Sequence, residues 1–311
     1  MQHYLPTTTT TTQTEAEEEP DFSIEGLLIQ GDRAVELFGY RDAYVESYVA
    51  LLKRMQSLMP NVNHFSLIAP TAAEFYTPPA YHSGMASQRE MIDKVYAQLN
   101  PGITSIDIYD TMQAHTDEYI YFRTDHHWTG LGAYYAYQEI AQTMGFQPLA
   151  LSQMEYGRIE GGFLGSLYGL SQQNPALSSN PDFVEWWEPA VEVEGIAFLN
   201  PEMTEGYYID LIAKEVSAEN KYLAFTQGDH GLARFETSTK NGQKIAVLKE
   251  SYGNALIPYL TSHFEEVYVI DPRRMEMDLP QYMQDQNIGN LLTINYASAV
   301  ANTIWKNGFS A

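Results

Sequence analysis

The sequence of 311 residues contains no cysteine, and this absence excludes several chemical classes at once. A chain without thiols has no cysteine nucleophile, no disulfide, no cysteine-ligated zinc and no iron–sulfur cluster. Positive charge is also scarce, because 17 lysines and arginines stand against 40 aspartates and glutamates, for a formal charge of −23. Such an acidic chain repels phosphate backbones, so we expect no nucleic-acid partner.

Long hydrophobic runs are absent as well. No segment approaches the roughly 20 consecutive apolar residues that a membrane-spanning helix needs, and no signal-peptide pattern occurs. The chain does have 44% hydrophobic and 13% aromatic residues, which is typical of a folded globular protein. Only residues 1–21, with six consecutive threonines and a cluster of glutamates, are expected to stay outside the fold, as a disordered tail or a surface stalk.

Alternating strand and helix patterns predict the architecture of residues 22–311. Apolar residues recur at helical spacing in Tyr40–Met59, and short apolar runs such as His64–Pro70 and Lys244–Lys249 are typical of buried strands. This alternation predicts a single α/β domain with a mostly parallel sheet. The region of about 160–235 breaks the pattern and is expected to form a small irregular and β-rich insertion, because it is rich in glycine, proline and tyrosine.

Reactive side chains are concentrated first in the segment Tyr121–Thr129, which reads Tyr-Phe-Arg-Thr-Asp-His-His-Trp-Thr. In an extended backbone Asp125 and His127 point the same way, and a carboxylate beside an imidazole orients it and stabilises its protonated form. A helix is predicted over Gly130–Met144, with Thr129 as its N-cap. The two groups are therefore expected where a strand ends and a helix begins, which is where open α/β sheets form crevices.

The second reactive segment is Lys249–Asn254, directly after a predicted strand. Ser251 is expected on a strand-to-helix turn that resembles a nucleophile elbow, although the segment is not G-x-S-x-G. A serine needs an adjacent base to act as a nucleophile, and His127 is a candidate for that base. The backbone N–H groups of Ser251 and Tyr252 are candidates for an oxyanion hole.

Each of these groups also has a simpler interpretation. The segment around Asp125 could be a buried polar network that joins a strand to a helix, and Ser251 could be a helix N-cap. Asp125, His126 and His127 could instead be metal ligands. Adjacent histidines in a strand point to opposite faces, so metal binding is the weaker alternative, and no metal or cofactor is predicted.

Four further residues are candidates for substrate binding. Arg123 stands two residues before the aspartate and would share its face in an extended segment, and Tyr121 begins the same segment. Asn254 could hydrogen-bond a substrate or fix its own turn. Arg273 follows a predicted strand, and its guanidinium suits a carboxylate or a polar sugar group. A structural ion pair is the alternative for Arg123, and a surface or loop-fixing role is the alternative for Arg273.

With these segments in view, the chain resembles the DHHW protein family, which is similar to the SGNH-hydrolase-like domains of alginate O-acetyltransferase proteins. Asp125 and His127 match the early Asp-x-His-Trp motif of those proteins, and Ser251 matches their late serine, in the same order along the chain. Weaker matches lie in three other segments: His64–Ala72, Gly162–Tyr168 and Val269–Arg273. The resemblance covers nearly the whole region that is expected to fold.

The resemblance implies a three-layer α/β/α sandwich of the SGNH-hydrolase type, an exported or cell-surface location, and acetyl-ester chemistry on a cell-surface polysaccharide. It implies that Asp125 orients His127, that His127 takes the proton of Ser251, and that an acetyl-enzyme then passes its acetyl group to a sugar hydroxyl or to water. A membrane acyltransferase as acetyl donor follows by analogy with the alginate system. A non-catalytic glycan- or envelope-binding protein on the same fold and a metal-dependent hydrolase are the alternatives.

Overall fold

A computed structural model of the chain describes residues 22–24, 26–216 and 219–302, so the predicted tail over residues 1–21 lies outside the described residues. The strands in these ranges are β1 (Phe22–Ile24), β2 (Leu27–Gln30), β3 (Arg33–Glu36), β4 (Asn63–Ala69), β5 (Thr104–Ile106), β6 (Met154–Phe163), β7 (Asp182–Pro189), β8 (Val193–Phe198), β9 (Gly206–Ile209), β10 (Leu232–Thr237), β11 (Lys244–Lys249), β12 (Glu266–Ile270) and β13 (Asn290–Tyr296).

The α-helices in the same ranges are α1 (Asp42–Leu58), α2 (Ala72–Tyr76), α3 (Pro79–His82), α4 (Gln88–Leu99), α5 (Tyr109–Ala114), α6 (Gly130–Met144), α7 (Ser166–Leu170), α8 (Pro175–Ser178), α9 (Ile257–Leu260), α10 (Leu279–Asp285) and α11 (Ala297–Val300). Short 3₁₀ helices lie at Leu151–Gln153, Lys221–Ala224 and Ser251–Leu256. No helix in the described part of the chain has the length and apolar character needed to cross a membrane.

Eight strands form one central sheet in the order β5-β4-β13-β11-β12-β10-β8-β9. The first five are mutually parallel, and β10, β8 and β9 extend the sheet with antiparallel pairings. Parallel neighbours need crossover connections, and helices supply several of them. The prediction of a mixed α/β fold with a mostly parallel sheet is confirmed.

The parallel strands are apolar on both faces because helices cover both faces of the sheet. Along β11, Ile245 and Val247 join a core that includes α6 and the Tyr121–Trp128 segment. The alternate residues Ala246 and Leu248 join a second core with α1, α4 and α10. The sheet thus separates two cores, and its strands present side chains to each core in turn.

Helix α6 has the predicted bounds because its ends are determined locally. The Thr129 side chain accepts the Gly132 N–H at 3.2 Å, as an N-cap does. Gly145, with φ of 82°, ends the helix in the left-handed conformation that glycine adopts without steric cost. The residues just before this helix are therefore held in a defined position over one face of the sheet.

The region of about 160–235, predicted as an irregular and β-rich insertion, contains two kinds of structure. Strands β6 and β7 pair with each other as a separate antiparallel ribbon, with α7 and α8 between them. Strands β8, β9 and β10 instead lengthen the central sheet. A third, antiparallel sheet of β1, β2 and β3 packs nearby, and the Ala34 N–H of β3 donates to the Arg123 carbonyl at 2.8 Å.

Candidate active site

The Tyr121–Trp128 segment is a tight loop rather than an extended strand. Tyr121 and Trp128 pair across it as an antiparallel bridge. Within the loop, Asp125 Oδ1 accepts the His127 N–H at 3.0 Å, a turn that aspartate side chains commonly form. The same oxygen lies 2.6 Å from His127 Nδ1. A turn, and not strand alternation, therefore brings the carboxylate and the imidazole together.

The Asp125 carboxylate is buried, and both of its oxygens accept hydrogen bonds. Oδ2 accepts the Ser166 N–H at 2.8 Å, at the start of α7. Gly165 permits this close approach, since a Cβ at its position would lie 2.2 Å from Asp125 Cβ. Burial by itself would raise the carboxyl pKa, but the charge and hydrogen bond of His127 outweigh it and hold the pKa of Asp125 well below its usual value. Asp125 therefore stays anionic.

Ser251 begins the 3₁₀ helix that follows β11. Its Oγ lies 2.8 Å from His127 Nε2, although 124 residues separate the two along the chain. A carboxylate only accepts hydrogen bonds, so we assign the proton of neutral His127 to Nδ1, which leaves Nε2 as the acceptor for the serine hydroxyl. Asp125, His127 and Ser251 thus form one hydrogen-bonded chain.

Aromatic rings hold His127 on both of its faces. Tyr222 stacks on it at a centroid distance of 3.9 Å and an interplanar angle of 10°. His126 also lies 3.9 Å away, tilted by 36°, and two rings at this distance require opposite faces of the imidazole. The Trp128 indole N–H donates to the Tyr252 carbonyl at 2.9 Å. The loop and the serine segment are therefore packed as one unit.

Glu250 is fully buried beside the serine and was not singled out by the sequence analysis. Its Oε2 accepts the Tyr252 N–H at 3.0 Å and lies 3.4 Å from Ser251 Oγ, while Oε1 accepts the Tyr296 N–H at 3.1 Å. Burial raises the pKa of this carboxyl group. Because Glu250 occupies the Tyr252 N–H, only the Ser251 N–H of the two predicted oxyanion donors remains a candidate.

Asp182, the first residue of β7, is a second group that sequence reasoning missed. Its buried carboxylate accepts hydrogen bonds from the Arg123 N–H at 3.0 Å, from the Thr124 N–H at 2.7 Å and hydroxyl at 2.6 Å, and from the Tyr119 hydroxyl at 2.6 Å. These bonds fix the two residues that precede Asp125. No local pattern marks such a residue, because its partners lie far away along the chain.

Tyr121 and Arg123, which were predicted to bind substrate, have structural partners instead. Tyr121 is fully buried, and its hydroxyl donates to the Pro70 carbonyl at 2.7 Å. The Arg123 guanidinium lies over the Tyr119 ring at 5.2 Å and 3.4 Å from the Asp182 carboxylate. These contacts stabilise the loop, and the ion pair with Asp182 favours the structural interpretation of Arg123.

Asn254 and Arg273, the other two predicted ligands, meet on the carboxylate of Asp229. Asn254 Nδ2 donates to it at 3.0 Å, Arg273 Nη2 at 2.9 Å and the buried Lys249 Nζ at 2.9 Å. Arg273 also donates to Asp271 at 2.6 Å. Asn254 is almost wholly buried, whereas the Arg273 side chain is 26% exposed and can be reached by a ligand.

The loop also offers a set of atoms that could hold a metal ion. One ligand atom each from Asp125, His126 and His127 lies within 4.8 Å of the others. The two imidazoles are neighbours because the loop is not extended, so the argument that they point to opposite faces was wrong. Both ring nitrogens of His127 already have partners, in Asp125 and Ser251, and an ion would have to displace one of them. The donor set therefore fits the hydrogen-bonded chain better than a metal centre.

Comparisons with known proteins agree with the resemblance seen in the sequence. The family model described as DHHW protein matches residues 6–270. The structure of a DHHW family protein from Eubacterium siraeum DSM 15702 is 30% identical, and the match covers 93% of this chain and 98% of that one with a TM-score of 0.83. No curated protein matches the sequence significantly.

Two more distant structures have the same fold. Bacillus cereus PatB1 with a sulfonyl adduct is 18% identical, over 93% of this chain and 99% of that one, with a TM-score of 0.75. The O-acetyltransferase domain of Pseudomonas putida AlgJ is 14% identical, over 90% and 91%, with a TM-score of 0.51. Similarity at these identities establishes a shared mixed α/β fold with a large, mostly parallel central sheet.

Proposed function

Given that this chain belongs to the DHHW protein family, we propose that it is a serine-dependent O-acetyltransferase or acetylesterase that acts on a cell-surface polysaccharide. The observation that carries the proposal is the hydrogen-bonded chain from Asp125 through His127 to Ser251, with distances of 2.6 and 2.8 Å. A Ser-His-Asp triad requires a carboxylate on one ring nitrogen and the nucleophile on the other. The two distances support this assignment of roles.

In the proposed reaction, His127 Nε2 takes the Ser251 proton as Oγ attacks an acetyl carbonyl. His127 then donates that proton to the leaving oxygen of the donor, and an acetyl-enzyme remains. In the second half, a sugar hydroxyl or water gives its proton to His127 and attacks the acetyl carbon, and Ser251 leaves with the proton that His127 returns. Asp125 orients the ring and stabilises its protonated form in both halves.

The distant relatives support acyl chemistry at such a site. The AlgJ domain is an O-acetyltransferase, and PatB1 carries a sulfonyl adduct. We extend the proposal to an SGNH-hydrolase-like α/β/α sandwich, supported by helices on both faces of the central sheet. An exported location, a membrane acyltransferase as acetyl donor and the lack of a nucleic-acid partner belong to the same proposal.

The test is to incubate the protein and its Ser251→Ala variant with p-nitrophenyl acetate, and to follow p-nitrophenolate release and intact mass. We expect one acetyl adduct on the native protein and none on the variant. Ser179→Ala, which removes a hydroxyl that donates to the Ala176 carbonyl in its own turn, is the matched control and should retain the adduct. An adduct that survives Ser251→Ala would refute the assigned nucleophile.

Two other outcomes would point to the alternatives. Absence of both adduct and product release would favour a glycan-binding protein without catalysis, which glycan-array binding would then examine. Activity that is lost on chelation and restored by a divalent metal would favour the metal-dependent hydrolase, for which Asp125, His126 and His127 supply the ligand atoms.

A further inference from the structure

We propose that His126 and Ser166 form the acceptor subsite, which holds a polyhydroxy alcohol beside the acetylated Ser251. The inference rests on the proposed function, because only an acetyl-enzyme has an acceptor. The inference assigns a role to two residues outside the triad. It also names the class of acceptor, a polyhydroxy alcohol, since the subsite binds a hydroxyl next to the one that reacts.

His126 and Ser166 are a second imidazole–hydroxyl pair that lies directly beside the first. His126 Nδ1 is 2.7 Å from Ser166 Oγ. The two pairs share Asp125, whose Oδ1 contacts His127 and whose Oδ2 accepts the Ser166 N–H at 2.8 Å. The position of Ser166 is thus fixed by the same carboxylate that orients His127.

The second pair is the more accessible of the two. The His126 side chain is 27% exposed, compared with 8% for His127, and Ser166 is exposed. The His126 ring covers the face of His127 opposite Tyr222. A ligand that approaches His127 from solvent on this side therefore meets His126 first.

The hydrogen bond of His126 to Ser166 leaves the other ring nitrogen of His126 open to a ligand. We assign the Ser166 hydroxyl as the donor to His126 Nδ1, which places the ring hydrogen on Nε2. Within the described residues His126 Nε2 has no hydrogen-bond partner, so its N–H is available to a hydroxyl oxygen of the substrate alcohol.

The roles of the two histidines then differ in a chemically balanced step. His126 Nε2–H binds one hydroxyl of the acceptor, and the neighbouring hydroxyl loses its proton to His127 and forms the bond to the acetyl carbon. The bond from that carbon to Ser251 Oγ breaks, and His127 returns the proton to Oγ. An acceptor with adjacent hydroxyls, as sugars have, uses both histidines, whereas a simple alcohol uses only His127.

The test compares glycerol with 1-propanol, which has the same carbon chain and a single hydroxyl. Acetyl-enzyme is formed with p-nitrophenyl acetate, and its loss is followed by intact mass at increasing alcohol concentration. We expect glycerol to accelerate the loss about five- to tenfold more than propanol, the effect of one added hydrogen bond, and to yield acetylglycerol. Equal acceleration by the two alcohols would overturn the inference.

Two substitutions assign this effect to His126. His126→Asn keeps a polar group near Nδ1 for Ser166 but removes Nε2, so it should abolish the advantage of glycerol over propanol. This advantage is the ratio of two accelerations measured on the same variant, so it does not depend on how fast that variant forms its acetyl-enzyme. His126→Gln places an amide nitrogen near Nε2 and should restore part of the advantage. His115→Asn, at a surface histidine paired with Glu118, is the control.

The readouts separate the two proposals. If neither the native protein nor any variant forms an acetyl-enzyme, the proposed function fails, and this inference fails with it. If the native acetyl-enzyme forms and His126→Asn retains the full advantage of glycerol, the acceptor subsite alone is refuted. An equal loss of acceleration by glycerol and by propanol in His126→Asn would assign His126 a structural role and would also refute the inference.

Discussion

Replacement of Gly165 by alanine tests whether close packing against Asp125 sets the geometry of the site. A Cβ at Gly165 would lie 2.2 Å from Asp125 Cβ and 2.4 Å from Asp125 Oδ2, more than 1 Å inside an ordinary contact. The backbone itself would accept alanine, because φ at this position is −88°. The clash therefore falls on the Asp125 side chain, whose carboxylate must move by roughly 1 Å. A displacement of that size costs about 10²-fold in rate when it misplaces a catalytic group.

The assay is the rate of acetyl-enzyme formation from p-nitrophenyl acetate, with thermal unfolding measured alongside. Gly169→Ala, in the short helix α7 that Gly165 precedes, is a matched control, because no neighbouring atom lies within 4 Å of its added Cβ. We expect about a hundredfold loss for Gly165→Ala, and for Gly169→Ala a rate within about twofold of native. A native rate in a folded Gly165→Ala protein would refute the argument that Asp125 is held in place by this contact.

Two further predictions concern stability. Burial lowers the pKa of His263 to about 4, so between about pH 6.5 and pH 4 the unfolded chain binds more protons than the folded one. The free energy of unfolding should therefore fall as pH drops through this interval, which urea titrations at several pH values check. The same dependence of the unfolding free energy on pH in a His263→Gln protein would contradict the prediction. Asp229→Asn removes the carboxylate 2.9 Å from the buried Lys249 Nζ and should cost about 3 kcal/mol in urea unfolding. A cost below about 1 kcal/mol would mean that Asp271, 3.9 Å from the same nitrogen, suffices as counter-charge.

The local elements of the fold followed from the sequence because their signals are local. Helix α6 has the predicted bounds Gly130–Met144, since Thr129 caps its start and Gly145 its end. The apolar run Lys244–Lys249 is the buried strand β11, as its composition predicted. The mostly parallel sheet was predictable from the alternation of strand and helix patterns. The family was predictable because its motifs lie in short continuous segments.

The geometry of the site was less predictable. Asp125 and His127 were expected to meet along a strand, yet they meet through a turn whose shape depends on hydrogen bonds to Asp182. No sequence motif marks Glu250, although its carboxylate accepts the Tyr252 N–H that was expected to stabilise an oxyanion. Tyr121 was expected to touch substrate, and it is fully buried. Burial and hydrogen-bond partners of this kind are properties of packed segments that are distant in sequence.

The sequence by itself determined which reactive groups exist: a chain without cysteine, with a carboxylate two residues before a histidine and a serine after a buried strand. Residue type and local periodicity suffice for that, because propensity, capping and alternation act over a few residues. Only the tertiary structure decided that His127 and Ser251, 124 residues apart, lie within 2.8 Å, and that His126 pairs with Ser166. Such contacts depend on how the sheet and its helices pack, which no local pattern records.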